Sequence, residues 1–412
     1  MINRRTLLAT GAAAAATTLL PRSASAQTSL TSLTTHAQPI SPQEHLARIA
    51  RAQELMRAQG LGAILVEPGA SLVYFTGVQW WRSERLTAVV IPAEGAPAIV
   101  TPAFEEPSVR ESLRIEAEVR PWNEDEDPLA AVAGILKDRR VSGPVGMEET
   151  VRYFAADGLM RAIPGVKIRS AAGVVRGCRM IKSPAELRLM QLAADVTLAA
   201  YRHTAPRIEK GMRPSDIGRV MNEATAALGG SPEFALILLG EASAYPHGSG
   251  QPQEVREGEV VLMDCGATVH GYQSDISRSF VFGEPSAEQR KVWTHVHRGQ
   301  EIAFEAAQVG RSAGSVDDAV RGYYETLGYG PGYRLPGLSH RTGHGIGLDG
   351  HEPINFVRGE ETLLAPGMCL SNEPGLYLPG KFGIRLEDCL YMTEAGPRWF
   401  TTPPPSIDNP FA

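Results

Sequence analysis

The sequence predicts an α+β protein whose larger C-terminal half follows a smaller α/β domain. Two observations carry that expectation. Up to about residue 175, short apolar runs alternate with stretches of helical spacing, as in a small α/β unit. Beyond residue 183 few apolar runs are separated by single helices, which favours a mostly antiparallel sheet. Two Ser-Pro-x-Glu words mark where the helices at the head of each half begin.

The first segment is a targeting signal rather than part of the fold. Arg4-Arg5 and Thr6-Leu7-Leu8 form a twin-arginine start, an Ala-rich apolar stretch follows, and Ala24-Ser25-Ala26 offers a small-residue cleavage site. Residues 1–26 are therefore expected to direct twin-arginine export and to be removed near Ala26, leaving a periplasmic protein. No Cys follows the apolar stretch, so no lipid anchor is expected there. No other apolar run is long enough to cross a bilayer, so no membrane anchor is expected. The Ser/Thr-rich residues 27–40 are expected to be a flexible lead-in.

The N-terminal domain is expected over 41–178. Ser41-Pro42-Gln43-Glu44 reads as a capping box, and Leu46, Ile49, Ala52, Leu55 and Met56 recur at helical spacing until Gly60. Strands are expected at Ala63–Val66, Leu86–Ile91, Ala98–Val100 and Val145–Met147. RGCRMIKS (176–183) is the expected junction. A second capping box, Ser183-Pro184-Ala185-Glu186, opens a long helix and the domain spanning 179–412. There the spacing predicts helices near 214–228 and 286–308, with strands around 233–239, 259–264, 272–282, 368–373 and 383–392.

The protein has 412 residues, 46 acidic against 40 Lys and Arg, and a formal net charge of −6. With no basic cluster, nucleic acid is not an expected partner. Four scattered Cys (178, 265, 369 and 389) do not make a disulfide scaffold, and buried reduced thiols are expected.

Function rests on Asp264, Asp275, His344, Glu373 and Glu387, each in or beside a strand-like run. Four carboxylates and an imidazole make a hard, oxygen-rich set that suits a pair of divalent cations and is costly to bury without them. Asp264 and Asp275 flank the turn word His270-Gly271, so a hairpin can bring them together. Glu373 precedes Pro374-Gly375, which ends its strand. Arg385, Glu387 and Cys389 alternate, which would aim Arg385 at the same cavity as Glu387. Taken singly, most of these acids would be surface residues. The order and spacing of the set carry the reading.

MDCGA, GYQSDISRSF, GHGIGLDGHE, SNEPGLY and IRLED stand in this order, and with them the sequence resembles the creatinase/aminopeptidase P/prolidase family over nearly its whole length past the signal. The resemblance implies a "pita-bread" catalytic domain behind a creatinase-like N-terminal α/β domain. It implies two divalent metals, with manganese the first expectation and cobalt or zinc the alternatives. Asp275 and Glu387 would bridge them, Asp264 would complete one site, and His344 and Glu373 the other. It implies catalytic roles for His247 and His351 beside Glu373, and a substrate-pocket position for His340. Tyr377 and Arg385 match as a hydroxyl near the metals and an orienting cation, although Arg385 fits equally as a partner of an acidic ligand. The implied reaction is attack of a metal-bridging hydroxide on an Xaa-Pro peptide bond. Glu373 would move the proton, and the two histidines would support the oxyanion. Short proline-containing peptides are the expected substrates and a homodimer the expected assembly.

Neighbouring reactions are weighed against the same residues. Creatinase-type relatives lack the ligands kept here, and lyase-type relatives resemble a version with Asp where this protein has Gly266. Methionine aminopeptidases usually lack the N-terminal domain. A silent peptide-binding protein would leave four acids repelling one another. A prolidase-like dipeptidase is therefore expected first. The alternatives are an aminopeptidase for longer Xaa-Pro peptides and a non-peptidase C–N hydrolase. Tyr74, Trp80, Trp81 and Arg82 form an aromatic cluster that either packs the domain or roofs the active site of a partner subunit.

Overall fold

A computed structural model describes residues 30–411, so the twin-arginine word and Ala24-Ser25-Ala26 lie outside the described residues. The expectation of a flexible lead-in is corrected for residues 30–40. They carry no helix or strand, yet Leu33 N–H donates to the Leu228 carbonyl at 2.8 Å and the Thr34 hydroxyl to Gly229 at 2.8 Å. Leu30, Ala37 and Ile40 pack against buried apolar residues of the C-terminal half. A few apolar side chains spaced through a polar segment are enough to pin it.

Helix α1 (Pro42–Gln59) runs from Ser41 to Gly60, whose φ of 67° ends it in the left-handed region. Only half of the expected capping box forms. Ser41 accepts from the Glu44 N–H, while the Glu44 carboxylate turns to Arg48 and to Ser183. The buried face is His45, Arg48, Ile49, Ala52 and Met56, and Leu46 is exposed. Helices α2 (Ala70–Thr76), α3 (Glu106–Ser112), α4 (Pro128–Asp138), α5 (Tyr153–Ala162) and α6 (Ala172–Arg179) join strands β1 (Ala63–Val66), β2 (Ala88–Pro92), β3 (Ala98–Pro102), β4 (Glu118–Trp122), β5 (Val145–Met147) and β6 (Ile168–Ser170). The strands form one mixed sheet in the order β4-β3-β2-β1-β5-β6. Ile64 and Val66 face α1, α2 and α6, whereas Ala63 and Leu65 face α4 and α5. Burial on both faces is why these strands read as unbroken apolar runs.

The expected junction is shorter than RGCRMIKS, because residues 176–179 are the last turn of α6. Helix α7 (Pro184–Thr204) then starts from Ser183 with both arms of its capping box made. Buried polar groups tie the halves together across this link. Arg48 bonds the Tyr272 hydroxyl at 2.9 Å and lies 3.3 Å from Glu186, and Glu352 takes Arg179 at 2.6 Å and Lys182 at 2.7 Å. Burial would raise the Glu352 carboxyl, but Lys182 and Arg179 outweigh it and hold the group near 2.

In the C-terminal half, α8 (Pro214–Ala227) precedes β7 (Ser231–Leu239), β8 (Val260–Val269), β9 (Tyr272–Gln273) and β10 (Ile276–Val281), an antiparallel sheet ordered β10-β8-β7 with β9 paired to β8. After α9 (Ala287–Ala306) and α10 (Gly314–Thr326) come β11 (Gly343–Gly345), β12 (Glu352–Phe356) and β13 (Cys369–Asn372). The hairpin β14 (Gly375–Leu378) and β15 (Phe382–Arg385) follows, then β16 (Asp388–Thr393) and β17 (Gly396–Trp399). The second large sheet is ordered β12-β11-β13-β16-β17. Helices α7 and α8 pack their apolar faces on the first sheet through Tyr201, Ile217 and Met221. Helices α9 and α10 cover the core that includes Leu262, Leu370 and Leu390. The candidate site opens between the two sheets.

Candidate metal centre

The hairpin that carries the two aspartates closes through His270 and Gly271, both at positive φ (47° and 83°), between the pairs Val269–Tyr272 and Thr268–Gln273. That is the two-residue turn whose twist matches the strands it joins. The expected strand over 272–282 is interrupted at Ser274-Asp275. There the Ser274 hydroxyl, not a backbone group, accepts from the Ala267 N–H at 3.1 Å and bonds Thr197 at 2.8 Å. The expected strand over 383–392 is likewise interrupted at Leu386-Glu387. An isolated antiparallel bridge between Ser277 and Glu387 joins the sheets at that point. Asp275 and Glu387 thus leave their ladders where the two sheets meet. Asp264 stays within β8 opposite Ser277, His344 sits at a register shift of β11, and Glu373 follows the end of β13.

A cleft of about 860 Å³ collects them. It is lined by all five proposed ligands together with His247, His340, His351, Arg341 and Arg385. Ligand-capable atoms of Asp264, Asp275 and Glu387 lie within 4.8 Å of one another, as do those of His344, Glu373 and Glu387, and those of Asp275, His344 and His351. His344 donates from Nδ1 to the Gly345 carbonyl at 3.0 Å, which leaves the Nε2 lone pair facing Glu373 (3.3 Å) and Asp275 (3.6 Å). Burial, reinforced by His351, keeps this imidazole neutral by lowering its pKa well below the ordinary value.

The residues fit a pair of divalent ions. Among the described residues, Asp264 Oδ1, Asp275 Oδ1 and Glu387 Oε1 are buried oxygens with no hydrogen-bond partner, a costly state unless a cation takes them. Six carboxylates, the four proposed ligands with Glu233 and Asp349, line the same cleft as two guanidinium groups, Arg341 and Arg385. Burial, then repulsion from Asp264, pushes the Asp275 carboxyl well above its usual range, and burial followed by Asp275 does the same to Glu387. Burial raises Glu373 to about 7, with Arg385 opposing and Asp264 adding. Such shifts mark a negative site awaiting positive charge.

Arg385 spends its donors on the site's frame. One nitrogen meets Asp264 Oδ2 at 2.5 Å, Nε donates to Ser277 Oγ at 3.0 Å, and the third reaches the Pro246 carbonyl at 3.0 Å and the Tyr377 oxygen at 3.3 Å. The structure therefore places it as the partner of Asp264, one of the proposed ligands. Tyr377 is fully buried behind the cleft and does not line it. Its hydroxyl donates to His340 Nε2 at 2.7 Å, because His340 Nδ1 already donates to the Arg341 carbonyl at 2.7 Å. Burial and then Arg385 lower His340 to about 3, so it is neutral with both nitrogens engaged. It can offer a ligand only its ring. His247 and His351 stand exposed at the cleft wall, and burial followed by Arg341 lowers His351.

Several supporting residues escaped the sequence reading. Ser277 donates to Glu387 Oε2 at 2.7 Å. The fully buried pair Arg278–Asp388 (2.7 Å) locks β10 to the start of β16, and Arg278 also bonds the Glu387 carbonyl at 2.9 Å. The buried pair Asp317–Arg321 (2.7 Å) of α10 holds the loop before His344, with Arg321 bonding the carbonyls of Gly332, Leu338 and His340, and Asp317 taking Thr342 at 2.7 Å. The available signal was the alternation Asp275, Ser277, Ser279, which repeats small polar groups on one strand face. A Cβ at Gly266 would lie 2.4 Å from the Phe234 ring and 2.5 Å from the Ser274 carbonyl, so the site as built has no room there for the Asp of the lyase-type pattern.

Residues 188–394 match the family profile of Metallopeptidase family M24, and residues 48–181 match that of the Creatinase/Prolidase N-terminal domain. The chain belongs to metallopeptidase family M24. It is similar to "Probable dipeptidase PepE" of Mycobacterium tuberculosis, 34% identical over 356 residues, which span 85% of this protein and 92% of that one. Among solved structures it is similar to a prolidase from Thermococcus sibiricus (TM-score 0.80, 28% identity, 87% of this protein and 97% of that one). An X-Pro aminopeptidase from Thermotoga maritima is also similar (TM-score 0.77, 28% identity, 87% and 98%). The M24 profile ends just beyond β16 and contains all five proposed ligands of the cleft, so the acidic cluster lies wholly within the matched metallopeptidase region.

Proposed function

We propose that this M24 enzyme hydrolyses the peptide bond between an N-terminal residue and proline, with a dipeptide as its simplest substrate. The observation that carries the reading is the convergence of Asp264, Asp275, His344, Glu373 and Glu387 in one cleft, with three of their oxygens buried and unpartnered. Asp264, Asp275 and Glu387 would hold one ion and His344, Glu373 and Glu387, with Asp275 nearby, would hold the other. When bound, two divalent ions, manganese in the first instance, supply a hydroxide nucleophile near neutral pH and polarise the scissile carbonyl. The protein's own groups do the rest. Glu373 receives a proton and returns it to the departing nitrogen. His247 and His351 at the cleft wall donate to the oxyanion. His340 presents a neutral ring to a cleft that Phe234 and Leu236 also line, an apolar surface suited to a pyrrolidine. Arg385 and Ser277 fix Asp264 and Glu387 so that neither swings toward the substrate.

Two further readings accompany this one. The Arg4-Arg5 and Ala24-Ser25-Ala26 words support twin-arginine export and a periplasmic location. The stacked indoles of Trp80 and Trp81, 4.8 Å apart with Trp81 exposed, support a homodimer in which they border the partner's cleft, because they do not line their own.

Cleavage of the same bond in longer peptides is a second reading, favoured by a groove that meets the cleft at His247 and Leu236. The test is a hydrolysis screen of metal-reconstituted protein with Gly-Pro-type dipeptides, longer Xaa-Pro peptides, non-proline dipeptides and small C–N substrates. Turnover confined to Xaa-Pro bonds supports the proposal. Turnover of non-proline dipeptides at equal rates, or of C–N substrates alone, overturns it.

A further inference from the structure

The loop between β11 and β12, residues 346–351, carries His351, and that histidine does little to hold itself in place. Its side chain is exposed and makes no hydrogen bond or ion pair among the described residues. Its ring rests on that of His344, with centroids 4.2 Å apart and planes at 68°. Behind the loop lies a space of about 200 Å³ between the two halves, lined by His351, Asp349, Arg179 and the 148–150 segment. Packing alone therefore leaves His351 room to move, and its position depends on what ties the loop.

One tie comes from the C-terminal half. Gln273 N–H donates to the Gly347 carbonyl at 2.8 Å, and its side-chain amide to the Leu348 carbonyl at 3.2 Å. The others come from the N-terminal domain. Leu348 packs against the core that α1, α2 and α6 share with the first sheet. Arg179, in the last turn of α6, donates from one nitrogen to Asp349 Oδ2 at 2.8 Å and Glu352 Oε1 at 2.6 Å, and from the other to Ser71 Oγ of α2 at 3.0 Å. Glu352 Oε1 also accepts the N–H groups of Leu348 at 3.0 Å and Asp349 at 3.3 Å. Guanidinium, carboxylates and loop backbone thus form one unit, and Asp349 and Glu352 bracket His351. Lys182 meets Glu352 at 2.7 Å but makes no ion pair with Asp349. Of these two cations, only Arg179 grips both sides of the histidine.

We propose that Arg179 is a positioning residue for the reaction: its grip on Asp349 and Glu352 fixes the His351 imidazole against the metal centre. The N-terminal domain then completes the active site of its own chain. An arginine suits the task because its planar fork serves three acceptors at once, which a single ammonium cannot. The assignment rests on the Xaa-Pro function and the role of His351 proposed above.

Arg179→Met removes the grip, yet leaves Glu352 paired with Lys182 and leaves the half-exposed Asp349 open to water. With manganese-loaded enzyme and Gly-Pro, kcat should fall about 10- to 100-fold while KM stays near wild type, since an oxyanion donor acts in the transition state. In a His351→Ala background the same change should lower kcat by less than about twofold, because the group it acts through is already gone. Equal losses in the two backgrounds, or an unchanged kcat in a folded Arg179→Met variant, overturn the proposal. If Arg179→Met does not fold, Arg179→Lys keeps a charge beside Glu352 without the fork, and the same comparison of backgrounds decides. A second measurement needs no substrate. In metal-free protein, amide hydrogen exchange over residues 346–352 should be about tenfold faster in the variant, with α1 and β8 protected as in wild type. Wild-type protection of 346–352 in the variant overturns the grip. Wild-type enzyme that leaves Gly-Pro uncleaved removes the Xaa-Pro function, and the exchange measurement then decides alone whether Arg179 holds the loop.

Discussion

Stripping the protein of metal and titrating manganese(II) back should release protons in a number set by the buried carboxyls. A coordinating carboxylate must be ionised, so every proton held by the metal-free site leaves when the ion enters. Glu373, raised to about 7 by burial with Asp264 adding and Arg385 opposing, is about 0.9 protonated at pH 6 and about 0.1 at pH 8. Asp275 and Glu387 are pushed well above the carboxylate range by burial and by their acidic neighbours, and add to the count. Titration calorimetry in buffers of different ionisation enthalpy should therefore show about one to three protons released per site at pH 6, and fewer at pH 8. The same shifts fix the sign of the stability change. A carboxyl raised from 4.5 to about 7 binds more protons folded than unfolded between those values. Its contribution, about 3 kcal/mol, is complete below pH 4.5 and is lost as pH rises through 7. Metal-free protein should thus melt lower at pH 8 than at pH 5.5, and metal should stabilise it most at the higher pH. Zero proton release at pH 6, or metal-free stability that rises from pH 5.5 to 8, would refute the reasoning.

Other outcomes follow from the frame around the site. Ser277→Ala removes the donor to Glu387 Oε2 and the acceptor for Arg385 Nε. It should weaken metal binding roughly 10- to 100-fold with the fold intact by circular dichroism, and unchanged affinity would count against its role. Arg321→Met leaves Asp317 buried and unpaired and frees three loop carbonyls. It should cost about 3–5 kcal/mol in urea unfolding and raise KM through the loosened His340, whereas a loss below about 1 kcal/mol would contradict the pair's assignment. Replacing Trp80 and Trp81 together by Ala should change the ratio of dipeptide to pentapeptide turnover if the indoles border a partner's cleft. An unchanged ratio in a folded, dimeric variant removes that idea.

The parts of this molecule legible in the sequence are those that a local pattern dictates. Ser41, Gly60 and Ser183 mark helix ends through their own side chains or backbone freedom, and the His270-Gly271 turn sets the hairpin that pairs β8 with β9 and β10. The breaks at Ser274-Asp275 and Leu386-Glu387 are not legible, because a polar residue or two within a strand-like run does not by itself mark an end and only the meeting of two sheets interrupts the ladders. Helix α10 and strands β11, β12, β14 and β17 leave no clear signal, since short strands and a helix that buries Asp317 and Arg321 lack a clean apolar period. The five proposed ligands are recognisable as a set, but the hydrogen bonds that orient them are not. Arg278–Asp388 joins residues 110 apart, and Ser277 reaches Glu387 across the same gap. Tyr377 reads in the sequence as a hydroxyl near the metals, whereas its place behind Arg385 and His340 depends on the β14–β15 hairpin.

The central claim is that Asp264, Asp275, His344, Glu373 and Glu387 hold two divalent ions that make this protein an Xaa-Pro peptidase. The most direct measurement is Gly-Pro hydrolysis by metal-stripped protein as manganese(II) is added, run alongside Asp275→Asn. The account predicts no turnover without metal, activity that saturates at two ions per protomer, and an Asp275→Asn variant that is folded yet inactive at the same metal concentration. Hydrolysis by the metal-free protein, or full activity in Asp275→Asn, would contradict it.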